Sequence, residues 1–72
     1  MDESEQIIVQ LAETYKKPDE FINILEKLFA VSPNEKGNLF LQVGIVLYKF
    51  SYFFLALNSW SHALRYFSRN ND

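Results

Sequence analysis

The chain has 72 residues, no cysteine and a formal charge of −2, with a pI near 5.2. That length allows one small domain near the limit of independent stability, with no disulfide or thiolate metal site to supplement its core. Lys and Arg do not cluster, which excludes the basic footprint of a nucleic-acid binder, and the acidic start "MDESEQ" lacks the pattern of a secretory signal, so a cytoplasmic setting is expected.

In "SEQIIVQLAETYKK", Ile8, Leu11, Ala12 and Tyr15 recur at helical spacing and predict a first helix over about 4–16. Ser4 or Asp2 can serve as its N-cap. Pro18 suits a helical first turn, and Asp19 and Glu20 favour the positive end of the helix dipole. They open a second helix over about 18–30, with Phe21, Leu25, Leu28 and Phe29 on one side. Pro33, Asn34 and Gly37 in "SPNEKGN" read as a loop.

A third helix, over about 36–50, carries Phe40, Val43, Gly44, Leu47 and Phe50 on one stripe. Leu41, Ile45 and Tyr48 form its second apolar side, and only Gln42 and Lys49 mark a polar back. The phase breaks around Ser51. A fourth helix, over about 52–69, then places Phe53, Ala56, Leu57, Trp60, Ala63, Leu64 and Phe67 on a new stripe. Asn58, His62, Arg65 and Arg69 lie opposite, and the two arginines suit the negative helix end. No stretch alternates with period two. The expected fold class is therefore all-α, in one domain over residues 1–72.

The second helical pair, over about 37–70, resembles a tetratricopeptide repeat. That family's run of an aromatic, Leu-Gly, Tyr, then Ala, Phe and Ala is met by Phe40, Val43-Gly44, Leu47, Ala56, Trp60 and Ala63-Leu64. Phe53 matches the aromatic that usually opens the second helix of a repeat. The first pair, over about 4–34, resembles the family through Ile8, Leu11-Ala12, Tyr15, Phe21, Leu25, Leu28 and Pro33. It departs from it in the short turn "YKKPDEF" and in Phe21 and Leu28, where small residues are usual. The resemblance implies two antiparallel helix-turn-helix hairpins stacked as a short right-handed array, either complete or the N-terminal part of a longer one.

Phe40 to Leu57 also admits a different reading, as a membrane-associated or membrane-spanning segment. Lys49 would then sit inside the bilayer, at a cost of about 2.5–3.5 kcal/mol near the centre of a span. A hairpin explains Lys49, Gln42 and the break at Ser51 together, so the two-helix reading is preferred.

Nothing in the sequence assembles a catalytic constellation. His62 is the one histidine, and its neighbour Ser61 points to a different side of a helix. Asp2, Glu3 and Glu5 suit a solvated helix start, metal binding would need three or four converging ligands, and no glycine-rich phosphate loop exists. No enzyme activity, cofactor or metal is expected. An enzyme would need a second chain to donate the missing groups.

Tetratricopeptide repeats sometimes bind C-terminal carboxylates through polar residues of their first helices. By that resemblance the inner face comprises Asn38, Leu41, Ile45, Tyr48 and Lys49 in the second repeat, and Gln6, Val9, Glu13 and Lys16 in the first. Glu13 would repel a carboxylate, so an apolar partner-binding groove edged by Lys49 is expected instead. The fourth helix has more apolar residues than one stripe can bury. Tyr52, Phe54, Leu55 and Tyr66 are accordingly expected to form an end face, unless Tyr52, Leu55 and Tyr66 pack on the first pair. Surplus apolar surface marks an interface, which leads to the expected function: a non-catalytic protein-interaction module that docks another protein or peptide, or itself as a homodimer or higher oligomer.

Overall fold

In the computed structural model, which describes residues 2–70, these signals become four α-helices with no strand among the described residues. They are α1 (Glu3–Thr14), α2 (Pro18–Leu28), α3 (Pro33–Lys49) and α4 (Phe53–Asn70). Asp2 caps α1: its Oδ1 accepts the Glu5 backbone N–H at 2.8 Å, satisfying a donor the helix leaves open. In α2, Pro18 occupies the first turn with Asp19 and Glu20 behind it. The helix closes at Leu28, where the Phe29 N–H reaches the Leu25 carbonyl at 2.9 Å. Leu28, expected on the core side, is therefore left exposed at the helix end.

The stretch "SPNEKGN" is not a loop. Extended Ser32 precedes α3 and Pro33 is its first residue, because a missing N–H and a fixed φ suit that position. Gly37 lies one turn further on, inside the helix. At the other end of α3 the chain reverses through a single left-handed residue, Ser51, with φ 69°. The Ser51 N–H bonds the Tyr48 carbonyl at 3.0 Å and the Tyr52 N–H bonds the Leu47 carbonyl at 2.8 Å. These are the two bonds of a Schellman cap, which absorb carbonyls that the ending helix would otherwise orphan. Hence the apolar run from Phe40 to Trp60 is two helices.

Pairing of α3 with α4 is the most extensive in the molecule; α1 packs on α3 and on α2, and α2 packs on α4. Its register is set by the chain's two glycines. A Cβ at Gly37 would stand 2.8 Å from Cε1 of Phe67, and one at Gly44 would run into the indole of Trp60. Seven residues forward on α3 thus correspond to seven back on α4, so the helices are antiparallel and the two aromatic rings lie over bare backbone. Two hydrogen bonds lock this register between the notches. Ser59, wholly buried, donates its Oγ to the Phe40 carbonyl at 2.6 Å, and Trp60 Nε1 donates to the Leu41 carbonyl at 3.3 Å. A carbonyl oxygen has two lone pairs, so it can accept these bonds as well as its helical one.

The core is built from Ile8 and Ala12 of α1, Phe21, Ile22 and Leu25 of α2, Phe40, Val43 and Leu47 of α3, and Leu55, Ala56 and Ala63 of α4. On α4 the buried stripe therefore runs through Leu55, Ala56, Ser59 and Ala63. This corrects the expected stripe by about one position. Small residues at 56, 59 and 63 let α4 approach α3 closely, where bulk would hold it off. Phe53, Leu57 and Leu64, expected in the core, are exposed.

Replacing the strained Ser51 by glycine, Ser51→Gly, should raise stability by about 0.5–1 kcal/mol, since an L-residue in the left-handed region costs about 1–2 kcal/mol. A thermal melt followed by circular dichroism checks this, and a lowered Tm would contradict the cap. Gly44→Ala should instead destabilise, because overpacking costs about 1–3 kcal/mol against a helix-propensity gain of about 1 kcal/mol. In a Trp60→Leu background the collision is gone, and the same substitution should turn neutral or stabilising. A double-mutant cycle reads the sign reversal.

Candidate functional site

The four helices leave one side of the α3/α4 hairpin uncovered. Leu41, Ile45 and Tyr48 follow one another at helical spacing on α3, and Phe53, Leu57, Trp60 and Leu64 do so on α4. Ile45 and Tyr48 are 47% and 58% exposed; Phe53, Leu57 and Leu64 are 53%, 62% and 67% exposed. For apolar side chains of this size, exposure by half or more on adjacent positions is the informative observation.

Aromatic packing joins the two rows into one surface. The Tyr48 ring meets Phe53 edge-on at 5.2 Å between centroids and lies 5.9 Å from Trp60. Trp60 is half-buried between the rows, held over Gly44 and tethered by its N–H to the Leu41 carbonyl. Rings fixed in this way present area at little further entropic cost on binding. Leu41 is half-buried beside it.

Of the groove expected from the sequence, Leu41, Ile45 and Tyr48 are brought together on this face. Asn38 is exposed on the same helix near its start. Lys49 does not edge the groove: its Nζ donates to Glu5 Oε2 at 2.9 Å and ties α3 to α1. The expected end face of Tyr52, Phe54, Leu55 and Tyr66 does not form as a common exposed surface. Leu55 is only 5% exposed and shares a recess of about 380 Å³ with Ala12 of α1. Tyr52 is half-buried and donates its hydroxyl to Glu13 Oε1 at 3.2 Å. Tyr66 stacks on Phe40, with 5.7 Å between centroids and an interplanar angle of 10°, under Lys36 and Arg69. Only Phe54 stands out, 69% exposed at the mouth of that recess. Tyr52 and Leu55 turn toward α1 and Tyr66 onto α3, because α4 is rotated to bury Leu55 rather than Leu57.

Sequence reasoning missed Phe53, Leu57 and Leu64 as surface residues. They share helical spacing with Trp60 and Phe67, so all five read as one core stripe. The two glycines bare the α3 backbone to two large α4 side chains, but which two they receive is fixed only by the pairing of the helices.

Charged groups lie away from the apolar face. Lys36 donates to Glu26 Oε2 at 3.2 Å, and this bond, followed by the Coulombic attraction of Glu26, raises the Lys36 pKa. Loss of solvent first, and the Glu13 carboxylate second, raise that of the Tyr52 phenol. His62, Arg65, Tyr66 and Arg69 of α4 and Glu26 of α2 line a small polar recess of about 190 Å³. The His62 ring is 5.5 Å from that of Phe40. Burial first, and Arg65 second, push the His62 imidazole below its ordinary value of 6.5, while Glu26 and Asp19 act the other way. No group of three or more metal-ligating side chains converges among the described residues. No helix among them is long and apolar enough to cross a membrane.

Compared with protein-family models, with curated proteins and with solved structures, the chain matches none.

The depressed His62 pKa carries a stability consequence. The unfolded chain binds the proton more readily, so the stabilising contribution of neutral His62 is present above the unfolded value and is lost as pH falls through the folded one. The urea midpoint should therefore fall between about pH 7 and 5, and fall less in His62→Gln. Equal slopes in the two proteins would contradict the assignment.

Proposed function

We propose that the chain is a non-catalytic protein-interaction module, built as two tetratricopeptide-like hairpins, that works by burying apolar and aromatic surface against a partner protein. One observation carries the reading: the uncovered row of Ile45, Tyr48, Phe53, Leu57 and Leu64 around a tethered Trp60. In an array of helical hairpins each unit buries its outer face against the next. A helix laid into the gap between the α3 and α4 rows would be held through anchors at successive turns. Trp60 and Tyr48 are the residue types that dominate such interfaces, and the polar flanks would exclude water around them. The tetratricopeptide-like assignment rests on Phe40, Gly44, Leu47, Ala56, Trp60 and Ala63. For Gly44, Ala56 and Ala63 the close helix approach supplies a physical reason. A cysteine-free chain suits the reducing cytoplasm, which is where this reading sets it.

The function resides in burial, so a buried charge should abolish it while the fold persists. A photo-crosslinking benzophenone amino acid placed at Leu57, and at exposed Asn23 of α2 as a control, tests this in cells. Adducts with a polypeptide are expected from position 57 and not from position 23, and should disappear on adding Ile45→Glu. Equal cross-linking at the two positions would remove the face from the reading.

A further inference from the structure

We infer that the occupant of the α3/α4 face is a second copy of this chain, two hairpins packing face to face about a two-fold axis. This rests on the interaction-module reading above and names its partner. The first argument is electrostatic. No charged side chain stands within the apolar rows, and the polar positions beside them are Asn38, Gln42, Lys49, Ser61 and Ser68. The nearest cations are turned elsewhere: Lys49 is engaged by Glu5, and Arg65 lines the recess shared with Glu26 and His62. A face recognised by a partner of opposite charge would carry charge of its own. A neutral face, by contrast, meets its own copy without like-charge repulsion, as a two-fold contact requires when every residue faces its own symmetry mate's patch.

The second argument is area. The five exposed side chains present roughly 600 Å² per copy, so that two copies would bury about 1,200 Å², the lower end of a specific interface. A contact of that size falls below the range of obligate dimers, so a reversible dimer is expected. The geometry of the rows supports the same arrangement. Under a two-fold axis running along the gap between α3 and α4, the α3 row of Ile45 and Tyr48 would face the α4 row of the other copy. Trp60, half-buried between the rows, would then lie near the centre of the contact, where interface residues contribute most.

Light scattering on purified protein, over a concentration series in the micromolar range, tests the inference. A mass rising from that of one chain, 8.5 kDa, towards twice that value is expected. Leu57→Glu and Ile45→Glu should each hold the mass at one chain with unchanged helical circular dichroism, and Phe54→Glu, off this face, should leave the dimer intact. Added salt should not dissociate it, since no charge pair crosses the contact. A monomer at every concentration would overturn the inference, as would a dimer surviving both Glu substitutions or one dispersed by salt. Should either variant fail to fold, benzophenone at Leu57 in the purified protein gives the same answer: an adduct of two chains supports the dimer, and its absence overturns it. Co-sedimentation of the monomer with phosphatidylcholine vesicles in place of self-association would also overturn it, with a bilayer as the occupant. In cells, an adduct of a different protein at position 57 would sink the dimer and leave the interaction module standing; no adduct at all would sink both.

Discussion

Everything above α1 and α2 depends on how closely α3 can approach α4. Gly37 and Gly44 strip the α3 surface to backbone at two points seven residues apart, and Phe67 and Trp60 lie across those points. Small side chains at Ala56, Ser59 and Ala63 on α4 do the same from the other direction. Shape alone would allow a helix to slide by a turn. The Ser59 and Trp60 hydrogen bonds to consecutive carbonyls of α3 remove that freedom, because a buried donor left unpaired costs about 1–3 kcal/mol.

One consequence is a sorting of large side chains. Five apolar residues of α4 share a stripe, but α3 has two notches, and those are filled by Trp60 and Phe67. Phe53, Leu57 and Leu64 have no glycine opposite them and remain outside. The surface proposed for binding is therefore a by-product of the same packing that holds the hairpin together. Trp60 belongs to both: its indole closes the α3/α4 contact from within and forms the centre of the exposed face. Tyr48 shares this position, since it packs on Phe53 and Trp60 while standing 58% exposed.

The first helical pair is held differently. Leu55 and Phe40 anchor it through the common core, and polar bonds stitch its edges: Lys49 to Glu5, Tyr52 to Glu13 and Lys36 to Glu26. Such exposed or half-exposed bonds contribute little each, commonly under about 1 kcal/mol. They do fix which way long side chains point. Lys49 is drawn toward α1 and Tyr52 with it, so charge and hydroxyl gather on the α1 side while the opposite side stays neutral and apolar.

Helix count, order and approximate extent were legible in the residues alone, as was the reversal at Ser51, because apolar period, proline and a phase break are local signals. So was the membership of Leu41, Ile45 and Tyr48 in an apolar face, since a helix with two apolar sides cannot bury both in so small a domain. The start of α3 was misread because Pro33 and Gly37 signal a loop when their partners are unknown; Gly37 answers to Phe67, thirty residues away in the chain. The rotation of α4 was likewise beyond local reading. Leu55 and Leu57 are chemically alike and flank Ala56, and only the fit of small residues and glycine notches between two helices selects the one that is buried. Periodicity is a property of one helix, so sequence could determine that helices form and that apolar surface exceeds the core; which face turns outward is a property of pairs, and tertiary packing alone decided it.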